Sequence, residues 1–231
     1  QHQGAGGEGP QVNRVQQMLY DCHMAFGPAS VPGAPPLTTE DLVQLRASVT
    51  ALTAEDLGAR EVDVDRDAIQ YTDVFVGEAF TVCMFKLPAG SRLPMHDHPR
   101  MHVLSKVLFG RLEVTAYDRV GPAADASPQK PMGLNLKPFE VRVERDAEVW
   151  TADAQAQVTG PQCGNIHQFV ALTDTCVLDV LAPPYDFGEG RRCTYYEIGR
   201  KDGKLYAQPT QCPPDYVTRS VEYSGLPIDA E

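Results

Sequence analysis

The sequence predicts an all-β protein, a barrel or sandwich preceded by a few helices, on three observations. Beyond about residue 62, apolar residues recur at every second position in short runs. Gly, Pro and Asp separate those runs. Nearer the start, the apolar spacing is instead three to four. A period of two marks strands with one buried face, whereas a helical period marks helices. Many short strands divided by turn residues close into sandwiches or barrels.

The elements follow in order. Residues 1–12 are polar and Gly-rich and are expected to be a disordered tail. From Asn13, a good N-cap, Val15, Met18, Leu19, Cys22 and Phe26 fall on one helical face. Pro and Gly from Gly27 to Pro36 end that helix. Thr38-Thr-Glu-Asp41 starts a second, carrying Leu42, Leu45 and Val49, and Thr53-Ala-Glu-Asp56 starts a third short turn. Strands are expected around Val62 and Val64, at Ile69 to Val76, Ala79 to Phe85, Met101 to Leu108 and Leu112 to Tyr117. Others are expected at Val141 to Glu144, Glu148 to Thr151, Ile166 to Val170 and Cys176 to Leu181. Residues 121–137 and 154–164 read as loops. The stretch after Ala182 is too aromatic for a solvated tail and is expected to pack back on the barrel. With 231 residues and 42% hydrophobic content, residues 13–231 suffice for a single domain.

Charge and cysteine usage narrow the function classes. A formal charge of −11 argues against gripping a nucleic-acid backbone. No apolar run is long enough to span a bilayer. The six cysteines show no CxxC spacing, and the start has no secretory pattern. Reduced thiols in a cytoplasmic and nuclear protein are therefore expected, with Cys22, Cys83 and Cys176 as small buried hydrophobes. A monomer is expected.

The chemistry lies in two short blocks. The first is Gly90-Ser-Arg-Leu-Pro-Met-His96-Asp-His98, and the second is Gly164-Asn-Ile-His167. On a strand, His96 and His98 point to one face and Asp97 to the other. A third His on a neighbouring strand completes a facial set of imidazoles, which suit Fe, Zn, Cu or Ni. Three protein ligands with open positions indicate a catalytic metal. The segment Gly90 to Gly110 fits the cupin pattern G-x5-H-x-H-x3,4-E-x6-G, except that Val103 replaces the carboxylate. Gly164-x2-His167 fits the second cupin pattern in part. If position 103 faces the metal, His102 faces away and is not a ligand. Together these patterns specify the barrel as a cupin double-stranded β-helix, or jelly roll. With no carboxylate to offset the ion's charge, an anionic substrate ligand is favoured. A thiolate with an amine on the adjacent carbon would chelate and leave room for O2.

The segment Leu93 to Gly110 resembles the plant cysteine oxidases and their animal relatives, the cysteamine (2-aminoethanethiol) dioxygenases. So do Gly164-Asn-Ile-His167, Val177-Leu-Asp179-Val-Leu-Ala-Pro-Pro-Tyr185, Arg192-Cys193-Thr-Tyr-Tyr196 and the early Val15 to Cys22 helix. The resemblance spans about residues 13–200. It implies Fe(2+)- and O2-dependent oxidation of the N-terminal cysteine of target proteins to the sulfinic acid. Such oxidation feeds N-degron proteolysis, as for hypoxia-responsive transcription factors. It implies His96, His98 and His167 as iron ligands, Asp179 as a catalytic and substrate-binding carboxylate, and Tyr185 and Cys193 as pocket residues. His102 and the long 119–137 insertion depart from the family pattern without touching the ligands. Three alternatives remain: a zinc hydrolase or lyase, a small free-thiol dioxygenase, and a non-catalytic ligand-binding cupin.

Overall fold

A computed structural model of the chain describes residues 13–30, 37–38, 40–121 and 137–229. The expected tail, residues 31–36 and most of the 121–137 excursion lie outside the described residues. Helix α1 (Arg14–Phe26) begins where the cap was expected: the Asn13 side chain accepts from the Gln16 N–H at 3.1 Å. Its five apolar positions are all buried. Helix α2 (Val43–Ala51) follows one 3-10 turn and buries Leu45 and Val49. Residues 54–58 form only a turn, held by reciprocal bonds between Thr53 and Asp56.

Twelve strands follow among the described residues. They are β1 (Ile69–Val76), β2 (Thr81–Leu87), β3 (Arg92–Asp97), β4 (His102–Phe109), β5 (Arg111–Arg119) and β6 (Phe139–Thr151). Then come β7 (Gln157–Thr159), β8 (Ile166–Ala171), β9 (Thr175–Ala182), β10 (Tyr195–Lys201), β11 (Lys204–Thr210) and β12 (Thr218–Ser220). One sheet has the order β12-β1-β2-β9-β4-β7, and the ring β10-β11-β6-β5-β8-β3 closes on itself. Closure is made where Tyr195 pairs with His96.

The period of two divides the faces of the first sheet. Along β9, Leu178, Val180 and Ala182 join Val15, Met18 and Leu45 of the helices in one apolar cluster. The alternate Val177 packs inside the barrel with Leu93, Leu112 and Phe169 of the ring. Asp179 shares that inner face, so the strand places a carboxylate among apolar neighbours.

Several sequence expectations need correction. Val62 and Val64 do not start a strand. Residues 61–63 form a 3-10 turn, closed by the Arg60–Asp63 ion pair at 2.7 Å, and Val62 is exposed. The two strands expected at 141–144 and 148–151 are one, β6. Register shifts opposite Ala116, together with a left-handed Ala147 (φ 51°), absorb the interruption as a bulge. The 154–164 loop contains β7, and the segment after Ala182 supplies three strands.

Candidate metal centre

The three histidines converge. His96 on β3 lies directly opposite His167 on β8. The ring centroids of His96, His98 and His167 are 4.8–4.9 Å apart pairwise, nearly an equilateral triangle. One ligand atom from each lies within 4.8 Å of the others, the only such group of three found among the described residues. His102 is not in it. It opens β4 beside the inward-facing Val103, as the pattern required.

Local chemistry holds each ring. β3 ends at Asp97, so His98 has left the ladder. The Asn165 side chain replaces the missing partner strand, accepting from His98 N–H at 3.1 Å and donating to the His98 carbonyl at 2.7 Å. Gly164 precedes it with φ 65°, a left-handed turn that suits glycine, and its N–H donates to the buried Asp118 at 2.7 Å. His167 stacks on Phe169, with centroids 4.7 Å apart.

Asp97 points away from the centre and ties down the closing hairpin. It accepts from Thr194 N–H and from the Tyr196 hydroxyl, both at 2.8 Å. Burial pushes its carboxyl up to about 6 against those bonds.

The far nitrogens of His96 and His98 are engaged. His96 Nδ1 meets the Pro94 carbonyl at 2.7 Å. His98 Nδ1 meets the Tyr185 hydroxyl at 2.7 Å, and that hydroxyl donates to the Asp97 carbonyl at 2.8 Å. The Gly164 backbone lies near His167 and favours a proton on its ring. His96 and His98 thus carry their protons on Nδ1 and keep Nε2 free, the usual arrangement for metal-binding histidines. Nε2 of His98 and Nε2 of His167 are 3.0 Å apart. Two nitrogens at right angles around a cation with bonds of about 2.1 Å have that spacing. Burial lowers the proton affinity of all three rings, and proximity to the other rings lowers it further for His98 and His167. They are therefore neutral, as ligands must be. This donor set fits a single metal ion.

The remaining candidates lie around this triangle. Asp179 is not a member of it. It is buried on β9 between Cys83 of β2 and Ser105 of β4 in register. The Ser105 hydroxyl donates to it at 2.6 Å, yet burial still pushes its carboxyl up to about 6. Tyr185 links the two regions: its hydroxyl touches His98 and is raised well above its ordinary value by burial and by the charges of Cys193, Asp97 and Asp179. Cys193 is half-buried near Tyr185 and Tyr195, and burial pushes its thiol up to about 12. Asn165 and Ser105, which hold a histidine and the aspartate, were not singled out in the sequence. Cys83, expected to be inert filling, is indeed buried but faces Asp179.

Fold and site together define a β-barrel protein with a candidate three-histidine metal centre at its inner wall. The PCO_ADO family model matches residues 37–225, and the chain belongs to this thiol dioxygenase family. Plant cysteine oxidase 2 of Arabidopsis thaliana is 33% identical over 191 residues, 79% of this chain and 65% of that protein. The chain thus spans just under two thirds of that relative's length. The 2-aminoethanethiol dioxygenase of Mus musculus is 30% identical over 188 residues, 74% of this chain and 71% of that protein. Among solved structures, an RmlC-like cupin protein from Desulfovibrio desulfuricans is 23% identical, covers 52% of this chain and 88% of its own, and has a TM-score of 0.31. No helix among the described residues is long and apolar enough to cross a membrane.

Proposed function

We propose that the protein oxidises the N-terminal cysteine of target proteins to cysteine sulfinic acid, with Fe(2+) held by His96, His98 and His167 and with O2 as co-substrate. The observation that carries this reading is the convergence of three imidazole ligand atoms in a barrel whose inner face also bears Asp179. Bound there, ferrous iron would supply the redox chemistry that joins both atoms of O2 to sulfur.

The chain's own residues do the rest. The neutral imidazoles bring no negative charge to the ion, so a substrate thiolate is the complementary partner. Asp179 accepts hydrogen bonds from the substrate amine and orients it, and Ser105 fixes the carboxylate. Phe169, Val177 and Leu93 close the floor with apolar surface and exclude water. Asp179 also repels a neighbouring carboxylate, which disfavours free cysteine and favours an aminothiol without one. A peptide N-terminus meets that requirement, and so does cysteamine. The match to a 2-aminoethanethiol dioxygenase makes the small aminothiol the second reading. With a protein substrate, O2 supply would set the target's entry into N-degron proteolysis, an oxygen-sensing step suited to cytoplasmic and nuclear regulators of the hypoxia response.

The test is mass spectrometry of iron-loaded protein with a Cys-initiated peptide, its N-acetylated twin, cysteamine and free cysteine. Two oxygens are expected on the free-amine peptide. Equal turnover of the acetylated twin would refute amine recognition, and turnover of cysteamine alone would leave the small-thiol reading. Asp179→Asn should retain iron and lose about 10- to 100-fold in turnover, the worth of a charge-assisted hydrogen bond. Unchanged turnover would remove Asp179 from the site.

A further inference from the structure

Two free cysteines, Cys193 and Cys212, flank the open end of the β10–β11 hairpin. The β10–β11 ladder keeps one register from Lys201↔Lys204 to Tyr195↔Thr210. Continued past Tyr195, the same register would set Thr194 beside Gln211 and then Cys193 beside Cys212. Cys193 also falls on the face of Tyr195, two residues on. Proximity agrees with that placement: the charge of Cys212 acts on Cys193, and the charges of both cysteines act on Tyr195. Both cysteines are free, with Cys212 exposed and Cys193 half-buried. Directly opposed antiparallel residues have Cα atoms about 4.5–5.5 Å apart. A disulfide needs about 4.4–6.8 Å.

We propose that Cys193 and Cys212 form a redox modification site that closes to a disulfide by exchange with a low-molecular-weight disulfide of the glutathione class, drawing the Cys193 sulfur away from Tyr185. The exposed Cys212 thiolate attacks one sulfur of oxidised glutathione, forming a mixed disulfide and expelling a glutathione thiolate. Cys193 loses its proton, attacks the Cys212 sulfur and expels the second glutathione. Two protein thiols are oxidised, one glutathione disulfide is reduced to two thiols, and the protons end on the departing thiolates. Burial keeps Cys193 protonated, so the second step is the slow one and quickens as pH rises.

Closure would act on the centre through two contacts. Cys193 is drawn away from Tyr185, whose hydroxyl is the group that fixes His98. The linkage also fastens the segment after β11 to the residues before Tyr195. That segment carries Tyr216, whose ring lies 6.3 Å from that of Tyr195, which in turn pairs with His96.

The pair stands independently of the proposed activity; only the turnover measurement rests on it. Incubate the full chain with oxidised glutathione at pH 8, block free thiols by alkylation and map tryptic peptides. Peptides bearing Cys193 and Cys212 should appear linked and should separate with dithiothreitol. Turnover of a Cys-initiated peptide should fall and recover in step, while Cys212→Ser keeps its turnover after the same treatment. Glutathione left on Cys212 with no linkage would overturn the proposal. So would a linkage that resists dithiothreitol, which is a thioether, or a reversible linkage that leaves turnover unchanged. Should the protein turn over no thiol at all, the functional reading fails while the linked peptides still decide the pair.

Discussion

The Tyr185 hydroxyl sits 2.7 Å from His98 Nδ1 and 2.8 Å from the Asp97 carbonyl, so one phenol reads two residues of the first histidine block at once. Its single proton goes to the carbonyl, and its lone pair is left to accept from imidazole Nδ1–H. The arrangement fixes which nitrogen of His98 is bare. Tyr185→Phe keeps the ring in its apolar setting and removes only this lock. Metal affinity should fall about 10- to 100-fold, the usual cost of losing such an outer partner. Competition against a chromogenic chelator measures it. Affinity equal to wild type would mean that packing alone orients His98.

Asp179 should destabilise the protein it serves. Its carboxyl is pushed up from 3.8 to about 6, first by burial and against the Ser105 bond. A folded value above the unfolded one means that its contribution is fully present below about pH 4. That contribution is lost as pH rises through about 6, when an ionised carboxylate must stay buried. The shift corresponds to about 3 kcal/mol. Asp179→Asn should therefore be more stable than wild type at pH 8, by up to about that amount, with the difference gone by pH 4. Denaturant midpoints at the two pH values check it.

The same carboxylate should set the acid limb of turnover, because only its ionised form accepts from the substrate amine. In wild type the limb is expected near pH 6. Ser105→Ala removes the bond that favours the charged form, so the limb should move to higher pH. A limb that stays put would show that another group controls the profile.

The histidine triangle was legible in the sequence because its parts are local: His-x-His on one strand and a glycine-led His on another need only the period of two and one pairing. The helices were legible for the same reason, since Asn13 and five apolar positions define α1 within a single window. The closing hairpin was not. Residues 195–210 are mostly exposed or half-buried and carry no alternating apolar signal. Only the turn announced it. Asp202 and Gly203, both left-handed at φ 50° and 77°, form the two-residue Asp-Gly connection that favours a tight hairpin. Asn165 and Ser105 escaped because their roles depend on partners tens of residues away.

Chelation tests the fit of the donor set directly. Nε2 of His98 and Nε2 of His167 sit 3.0 Å apart inside a buried wall, a spacing that a shared cation fits. A metal present at about a thousand times its dissociation constant adds about 4 kcal/mol. For a chain of this length that is on the order of 10 °C in Tm. Stripping the metal at pH 7.5 should lower Tm by about that much, and His167→Ala should remove the difference between metal-loaded and stripped protein. Equal melting of the two wild-type forms would speak against a bound ion at this triangle.

The two glycines that frame the first histidine block should differ sharply on substitution, although both have φ 83°. At Gly90 an added Cβ meets nothing within 4 Å. Gly90→Ala therefore suffers only the left-handed backbone penalty, about 1–2 kcal/mol. At Gly110 the same Cβ would lie 2.2 Å from the Asp174 carbonyl oxygen and 2.7 Å from Thr175 Cα. Those atoms are backbone at the start of β9, and Thr175 Oγ1 accepts from Arg111 N–H at 3.2 Å there, so the neighbour cannot yield without moving the strand that bears Asp179. Gly110→Ala should cost clearly more than Gly90→Ala and should lower turnover even at a temperature where it is folded. Urea midpoints of the two variants and their activity at 15 °C decide it. Equal loss at both sites would mean that the glycine pattern records backbone angle alone and not the approach of β9.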